Sequence, residues 1–189
     1  DGNSLLSPIS MHIKQGEKIA IIGESGSGKT TLLNIIHGEE TPTSGQISFA
    51  GQNLSRQEIT SISSYILQDS HYFDTLSLED NILLGLDKKE ERLNHILKTT
   101  GLEHLKNRTL SNDSLSGGEK QRLEIARALY HDSQLILADE IKANLDSENS
   151  RKISDLLFSL PQTVIEVIHH YTEEDLKHYD QVIHLSKEK

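Results

Sequence analysis

One stretch of eight residues, Gly23-Glu24-Ser25-Gly26-Ser27-Gly28-Lys29-Thr30, constrains this chain more than any other. It fits the phosphate-loop pattern G-x-x-x-x-G-K-[ST], and its flanks fit too: residues 18–22 read as a short buried strand and 31–36 as a helix. The glycines let the backbone wrap tightly, because they tolerate positive φ and carry no Cβ. Successive backbone N–H groups then point inward at phosphate oxygens, and the helix N-terminus adds the positive end of its dipole. In this pattern Lys29 reaches the β- and γ-phosphates and the Thr30 hydroxyl holds Mg²⁺. A ligand-free strand–helix turn would account for the glycines, but not for Lys29-Thr30 placed directly at the helix start.

The chain's 189 residues suffice for one domain with a real core. A net charge of −10 argues against a nucleic-acid surface, which needs a basic stripe, but leaves local anion binding through backbone dipoles open. Cysteine is absent, so disulfides and thiolate metal sites are excluded. No apolar run approaches the ~20 residues of a membrane-spanning helix. The chain opens at a turn-like Asp1-Gly2-Asn3 without an initiator methionine, and the expectation is a fragment of a longer protein.

Taken in order, Ile9, Met11 and Ile13 alternate with polar residues as in a half-buried strand, and residues 46–49 read as a strand turning at Ala50-Gly51. These predict short antiparallel strands beside the phosphate-loop unit. Residues 64–67 read as the next strand, with Gln68 at its end. The pattern then turns helical, with a capping-box-like Ser77-Leu78-Glu79-Asp80, a second helix stopping at Gly101 and a third over 116–131. Strands at 135–138, 163–168 and 181–185 alternate with helices at 147–158 and 172–178. The fold class expected is α/β: a mostly parallel sheet flanked by helices, with an N-terminal antiparallel β part and an inserted helical subdomain. A single domain is predicted, its core at about 1–69 and 132–189 and its helical subdomain at about 70–131.

Leu135-Ile136-Leu137-Ala138-Asp139-Glu140 is an apolar strand ending in two carboxylates. Ligands bind outside the carboxyl ends of such strands. In a nucleotide site the first carboxylate helps hold Mg²⁺ and the second polarises the attacking water. Alone, the pair would be an ordinary surface feature. Leu115-Ser116-Gly117-Gly118-Glu119-Lys120-Gln121-Arg122 opens a strong helix with two glycines, each costing roughly 1 kcal/mol against alanine if helical. They suit either a second phosphate-binding helix start or close packing against a neighbouring element.

The 115–122 stretch resembles the signature motif of ATP-binding cassette (ABC) proteins, LSGGQ-x-QR, with Glu119 replacing the commoner glutamine. The resemblance then covers nearly the whole chain, in the family's order. Residues 23–30 are similar to its Walker A motif, Gln68 to the Q-loop glutamine, residues 135–139 to Walker B and Glu140 to the catalytic glutamate. Asn144-Leu145-Asp146 resembles the end of the D-loop, and His169 the switch histidine. The resemblance implies a Mg²⁺-dependent ATPase in which two domains pack head-to-tail. Gly23, Glu24, Ser25, Gly26, Ser27, Gly28, Lys29, Thr30 and Thr31 then bind ATP from one domain, and Ser116, Gly117, Gly118 and Glu119 of the other close over it. Glu140 polarises water with Lys29, His169 and Gln68 in catalytic roles. Thr30, Gln68 and Asp139 surround the metal, and Asp146 meets the opposite domain.

The family's Pro-Thr or Ala-Thr after the glutamate is Ile141-Lys142 here, placing a positive side chain near the D-loop. The resemblance puts the adenine-stacking aromatic at or before Asp1, and the tyrosines 65, 72, 130, 171 and 179 read as packing or surface residues. The function implied is the motor domain of a membrane transporter at the cytoplasmic face of the cell membrane. Its partners would be a second cassette and a transmembrane domain docked near residues 71–76, with no nucleic acid and no direct cargo contact. Asn112-Asp113-Ser114 lacks the Gly-Glu of many fused exporters, whereas the abrupt start suits a cassette cut from a fused chain; the balance favours an exporter. The alternative is a soluble ABC ATPase acting on nucleic acid or ribosomes. The compact helical block and the acidic charge speak against it.

Overall fold

The computed structural model describes residues 8–69, 71–111 and 114–186. The residues group into two compact units. The first takes the described residues up to Tyr65, with Gln134–Glu140 and those from Pro161 on. Its centre is a five-stranded sheet of β1 (Lys18–Gly23), β2 (Ser63–Ile66), β3 (Leu135–Asp139), β4 (Thr163–Val167) and β5 (Gln181–Leu185), in the order β2-β3-β4-β1-β5. The registers of β1 with β4 and β5, and of β3 with β4, are all parallel. Central strands of such a sheet are covered on both faces, which is why β3 and most of β1 are apolar and buried throughout.

Parallel strands need crossovers, and their carboxyl ends fall on one edge. The α1 helix (Lys29–His37) leaves β1 through the glycine-rich loop and stops at Gly38, a left-handed C-cap with φ 82°. Leu32, Leu33 and Ile36 of α1 join Ile19, Ile21, Leu137 and Ile165 in one apolar cluster. The α2 helix (Arg56–Ile62) follows a complete capping box, in which Ser55 and Glu58 satisfy each other's backbone N–H groups.

The antiparallel part differs from expectation. Residues 9–13 form no strand, although Ile9, Met11 and Ile13 do pack against the sheet's core. Their alternation records one covered face, not a ladder, and the His12 carbonyl is satisfied by the Gln181 side chain instead, at 2.9 Å. Residues 46–49 are likewise reduced to a single antiparallel bridge, Phe49 to Gln52, closed by Ala50 and Gly51 at φ 50° and 77°. Positive φ at both turn residues is the tight hairpin geometry.

The second unit takes the described residues of Ile66–Ser133 together with Ile141–Leu160. It holds α3 (Leu78–Leu83), α4 (Glu90–Thr100), α5 (Gly117–Tyr130) and α6 (Ser147–Ser159). Leu78, Ile82, Leu93, Leu97, Leu123 and Ala126 are fully buried in its core. The helix α6 groups here, where the sequence had placed it with the sheet, because its start packs on the start of α5. The short α7 (Glu173–Leu176) completes the chain before β5. Among the described residues no helix is long and apolar enough to cross a membrane.

Candidate nucleotide-binding site

In the first unit the loop from Gly23 to Gly28 is shaped by close approach. A Cβ on Gly23 would fall 2.3 Å from the Leu185 carbonyl oxygen and 2.8 Å from Ser27 Oγ. Gly28 is the α1 N-cap at φ 88°, and no side chain accepts a hydrogen bond from the helix start. Its backbone N–H groups therefore lack the side-chain acceptor that such ends usually recruit, which is the arrangement an anion uses. The Lys29 side chain is buried, and its Nζ donates to the carbonyls of Gly23 and Glu24 at 2.9 Å each. Ser27 Oγ is buried with no hydrogen-bond partner. The cationic amine and the orphan hydroxyl thus belong to one loop with an open helix end.

Asp139 and Glu140 close β3 beside this loop. Thr30 Oγ1 donates to Asp139 Oδ2 at 2.8 Å, and the Tyr65 hydroxyl donates to the same oxygen at 3.2 Å. Asp139 Oδ1 is buried without a partner. A carboxylate oxygen left bare next to a threonine hydroxyl is a hard oxygen donor set, the kind Mg²⁺ takes with phosphate and water completing its shell. Thr30 and Asp139 therefore fit that ion. Burial and then the neighbouring Asp139 carboxylate push the Tyr65 phenol far above its ordinary pKa, so it stays a donor.

His169 Nε2 lies 2.9 Å from Glu140 Oε1. Glu140 adopts φ 53°, a left-handed conformation uncommon outside glycine, and its N–H donates to the Val167 carbonyl at 3.2 Å. The ends of β3 and β4 thus hold a carboxylate against an imidazole, the pairing that can orient a water and carry its proton. His170 sits outside this pair, its ring centre 6.4 Å from that of His169.

The second unit carries the other predicted residues. Ser116 is the α5 N-cap and forms a complete capping box with Glu119. Glu119 Oε2 accepts from the Ser116 N–H at 2.8 Å and from its hydroxyl at 2.7 Å, and Oε1 lies 2.9 Å from His104 Nε2. The two glycines also serve packing. A Cβ on Gly118 would meet Asn149 Oδ1 at 2.7 Å, and one on Gly117 would meet a Leu145 methyl at 3.0 Å. Asp146 caps α6, its Oδ1 accepting from the N–H groups of Glu148 and Asn149 and its Oδ2 from the Asn149 side chain. The Gln68 side chain is exposed, while its carbonyl accepts from Gln121 Nε2 at 2.9 Å. Lys142 is turned onto α6, donating to Ser154 Oγ at 2.9 Å.

Gly23–Thr31, Asp139, Glu140 and His169 thus fall in the first unit, and Gln68, Ser116–Glu119 and Asp146 in the second. Tyr65, read as a packing or surface residue, does pack on the sheet's apolar cluster, and it is also bonded to Asp139, a partner 74 residues away that the strand order β2-β3 brings near. Tyr130 is buried in the core and Tyr72 is half-buried against it, as packing residues, and their hydroxyls also donate to the carbonyls of Asp87 and Ser111. Asn112 and Asp113 lie outside the described residues, as does the start of the chain.

A parallel sheet with a phosphate loop after β1 and a carboxylate pair after β3 defines a P-loop ATPase. A family model described as ABC transporter matches residues 6–143, and the chain belongs to that family as an ATP-binding domain. YxdL of Bacillus subtilis, an ABC transporter ATP-binding protein, is 40% identical over 169 residues, covering 82% of this chain and 65% of that protein. The chain thus spans just under two thirds of that relative's length. Among solved structures, CbiO1 of Clostridium perfringens, part of the ABC transporter complex CbiONQ, superposes with a TM-score of 0.85 at 28% identity, covering 96% of this chain and 78% of that one.

Proposed function

We propose that this chain is the ATP-hydrolysing motor domain of an ABC membrane transporter, pairing head-to-tail with a second such domain around two ATP molecules. The observation that carries the reading is the pair of contacts at the strand ends: Thr30 on Asp139, and His169 on Glu140. The open N-terminus of α1 and Lys29 take the β- and γ-phosphates, with Lys29 Nζ leaving the Gly23 and Glu24 carbonyls to do so. Thr30 and Asp139 would hold Mg²⁺, which would supply charge neutralisation at the phosphates, with Gln68 the further residue that the family resemblance assigns to that ion. Glu140 accepts a proton from the attacking water, and His169 steadies that carboxylate and the γ-phosphate. Ser116, Gly117, Gly118 and Glu119 of a second domain close the site, and Asp146 meets that domain.

The motor works at the cytoplasmic face of a membrane on a transmembrane partner, one product of the domain's exposed apolar residues being a docking surface that includes Phe73 and Leu76. Co-purification of a membrane partner tests the docking, and export, the direction favoured, is tested by ATP-driven uptake of cargo into inside-out vesicles carrying the whole complex. The central test is Glu140→Gln. ATP hydrolysis should fall on the order of 100-fold while ATP binding persists, and an ATP-dependent dimer should accumulate on size exclusion. Turnover at the parent rate would sink Glu140 as the water-polarising residue.

A further inference from the structure

We infer that Tyr65 is a positioning residue for the cation site: its hydroxyl fixes the Asp139 carboxylate so that Oδ1 is the oxygen presented to Mg²⁺. The inference deepens the nucleotide-site reading above and rests on it. Asp139 loads one oxygen with two donors, Thr30 Oγ1 at 2.8 Å and the Tyr65 hydroxyl at 3.2 Å. The other oxygen is buried and has no partner. The terminal torsion of aspartate is soft, so something has to choose between its two oxygens. Two hydrogen bonds to Oδ2 make that choice, and they leave Oδ1 as the free donor.

Thr30 cannot be the sole guide. Its own oxygen is a ligand in the same reading, so its position shifts with the bound nucleotide. Tyr65 is anchored independently. It stands on β2, next to β3 in the sheet, and its ring packs on the sheet's apolar cluster. The His37 ring meets it edge-on, with centroids 5.6 Å apart. His37 Nδ1 lies 2.8 Å from Ser63 Oγ, and that hydroxyl gives its own hydrogen to the Ile59 carbonyl at 2.7 Å. Nδ1 is therefore the donor of the pair, and the imidazole plane is held. Ile59, Ser63, His37 and Tyr65 thus form a supporting chain of protein contacts that ends on Asp139. Outer partners of this kind set metal affinity, and losing one costs about 10–100-fold.

The test is Tyr65→Phe, which removes one oxygen and keeps the ring, made in the intact protein carrying Glu140→Gln so that ATP is not consumed. Calorimetry gives ATP affinity with Mg²⁺ and with EDTA, and the ratio of the two dissociation constants measures what the cation contributes. Tyr65→Phe should cut that ratio about ten-fold and leave the EDTA value unchanged. An unchanged ratio overturns the inference and leaves the nucleotide site standing. Equal weakening with Mg²⁺ and with EDTA also overturns it, because Tyr65 would then be merely structural. Failure of the Tyr65 parent to bind ATP under either condition overturns the nucleotide-site reading and the inference together.

Discussion

The helices α1 and α5 both begin at glycine-rich turns, yet their ends are finished differently. The start of α1 has Gly28 as its N-cap, no side-chain acceptor and no acidic residue in its first turn. The start of α5 has Ser116, a reciprocal bond to Glu119 and a further contact from His104. An uncapped end keeps its N–H groups for a ligand, whereas a capped end has spent part of them on its own chain. The glycines are all crowded, but by different neighbours: Gly23 lets the loop backbone approach the Leu185 carbonyl and Ser27 Oγ, while Gly117 and Gly118 are backed by Leu145 and Asn149. The first start thus leaves its N–H groups open to an anion. The second is a rigid, pre-satisfied surface, suited to closing over a nucleotide held elsewhere.

The largest effect should come from mixing variants that separate the two starts. Lys29→Ala should lower ATP turnover by on the order of 100-fold or more, since it removes the one cation of the loop. Ser116→Arg should do the same from the other side if α5 serves a second chain's nucleotide. Mixed in equal amounts, the two inactive proteins should recover about a quarter of parent activity. Half of the dimers are then mixed, and each mixed dimer keeps one intact site of two. No recovery under conditions where the parent dimerises would break the division of labour between the two helix starts.

A smaller effect is expected from Gly118→Ala. The new methyl meets Asn149, whose side chain is itself held by Asp146 at 2.6 Å and cannot swing away without losing that bond. Overpacking of this kind costs about 1–3 kcal/mol, against up to about 1 kcal/mol gained from alanine's helix propensity. Denaturant midpoints should show a net loss. Combining it with Asn149→Ala should return part of that loss, as coupling in a double-mutant cycle. Additive losses would mean that the glycine is present for the anion alone.

How far the chain could be read from its sequence follows the same contrast. The phosphate loop was legible because its chemistry lies in eight consecutive residues, and the sheet and its crossovers followed from apolar runs and caps. The start of α5 was legible as a motif but open in meaning, because Asn149 lies 31 positions beyond Gly118 and only packing joins them. Tyr65 packs as read, but its bond to Asp139 was not legible for a related reason, the partner being on a strand adjacent in space and distant in sequence. Not every miss was long-range. The Ser55–Glu58 capping box announces α2 within four residues. Conversely, the alternation over 9–13 resembled a strand because one face is covered, and hydropathy does not register whether a ladder partner exists.

The smallest expected effect concerns acid. Burial alone would raise the Glu119 carboxyl, but hydrogen bonds from the Ser116 hydroxyl and N–H and from His104 outweigh it, and the net pKa is below the ordinary 4.5. A depressed carboxylate contributes stability that is fully present above the unfolded value and is lost as pH falls through the lower folded value. The start of α5 should therefore loosen in acid below about pH 4.5, whereas α1, with no acidic residue in its first turn, has no such dependence. Glu119→Gln keeps the shape of the cap without its charge, and should cost less than about 1 kcal/mol at pH 7. Denaturant midpoints of parent and variant, compared from pH 7 downward, should converge as the parent's carboxylate is protonated. His104→Ala should reduce the gap at pH 7 by removing one of the groups that favour the charged form. A parent–variant gap that stays constant to pH 3 would show that the carboxylate's charge does not secure this helix start, and the contrast with α1 would then rest on glycine packing alone.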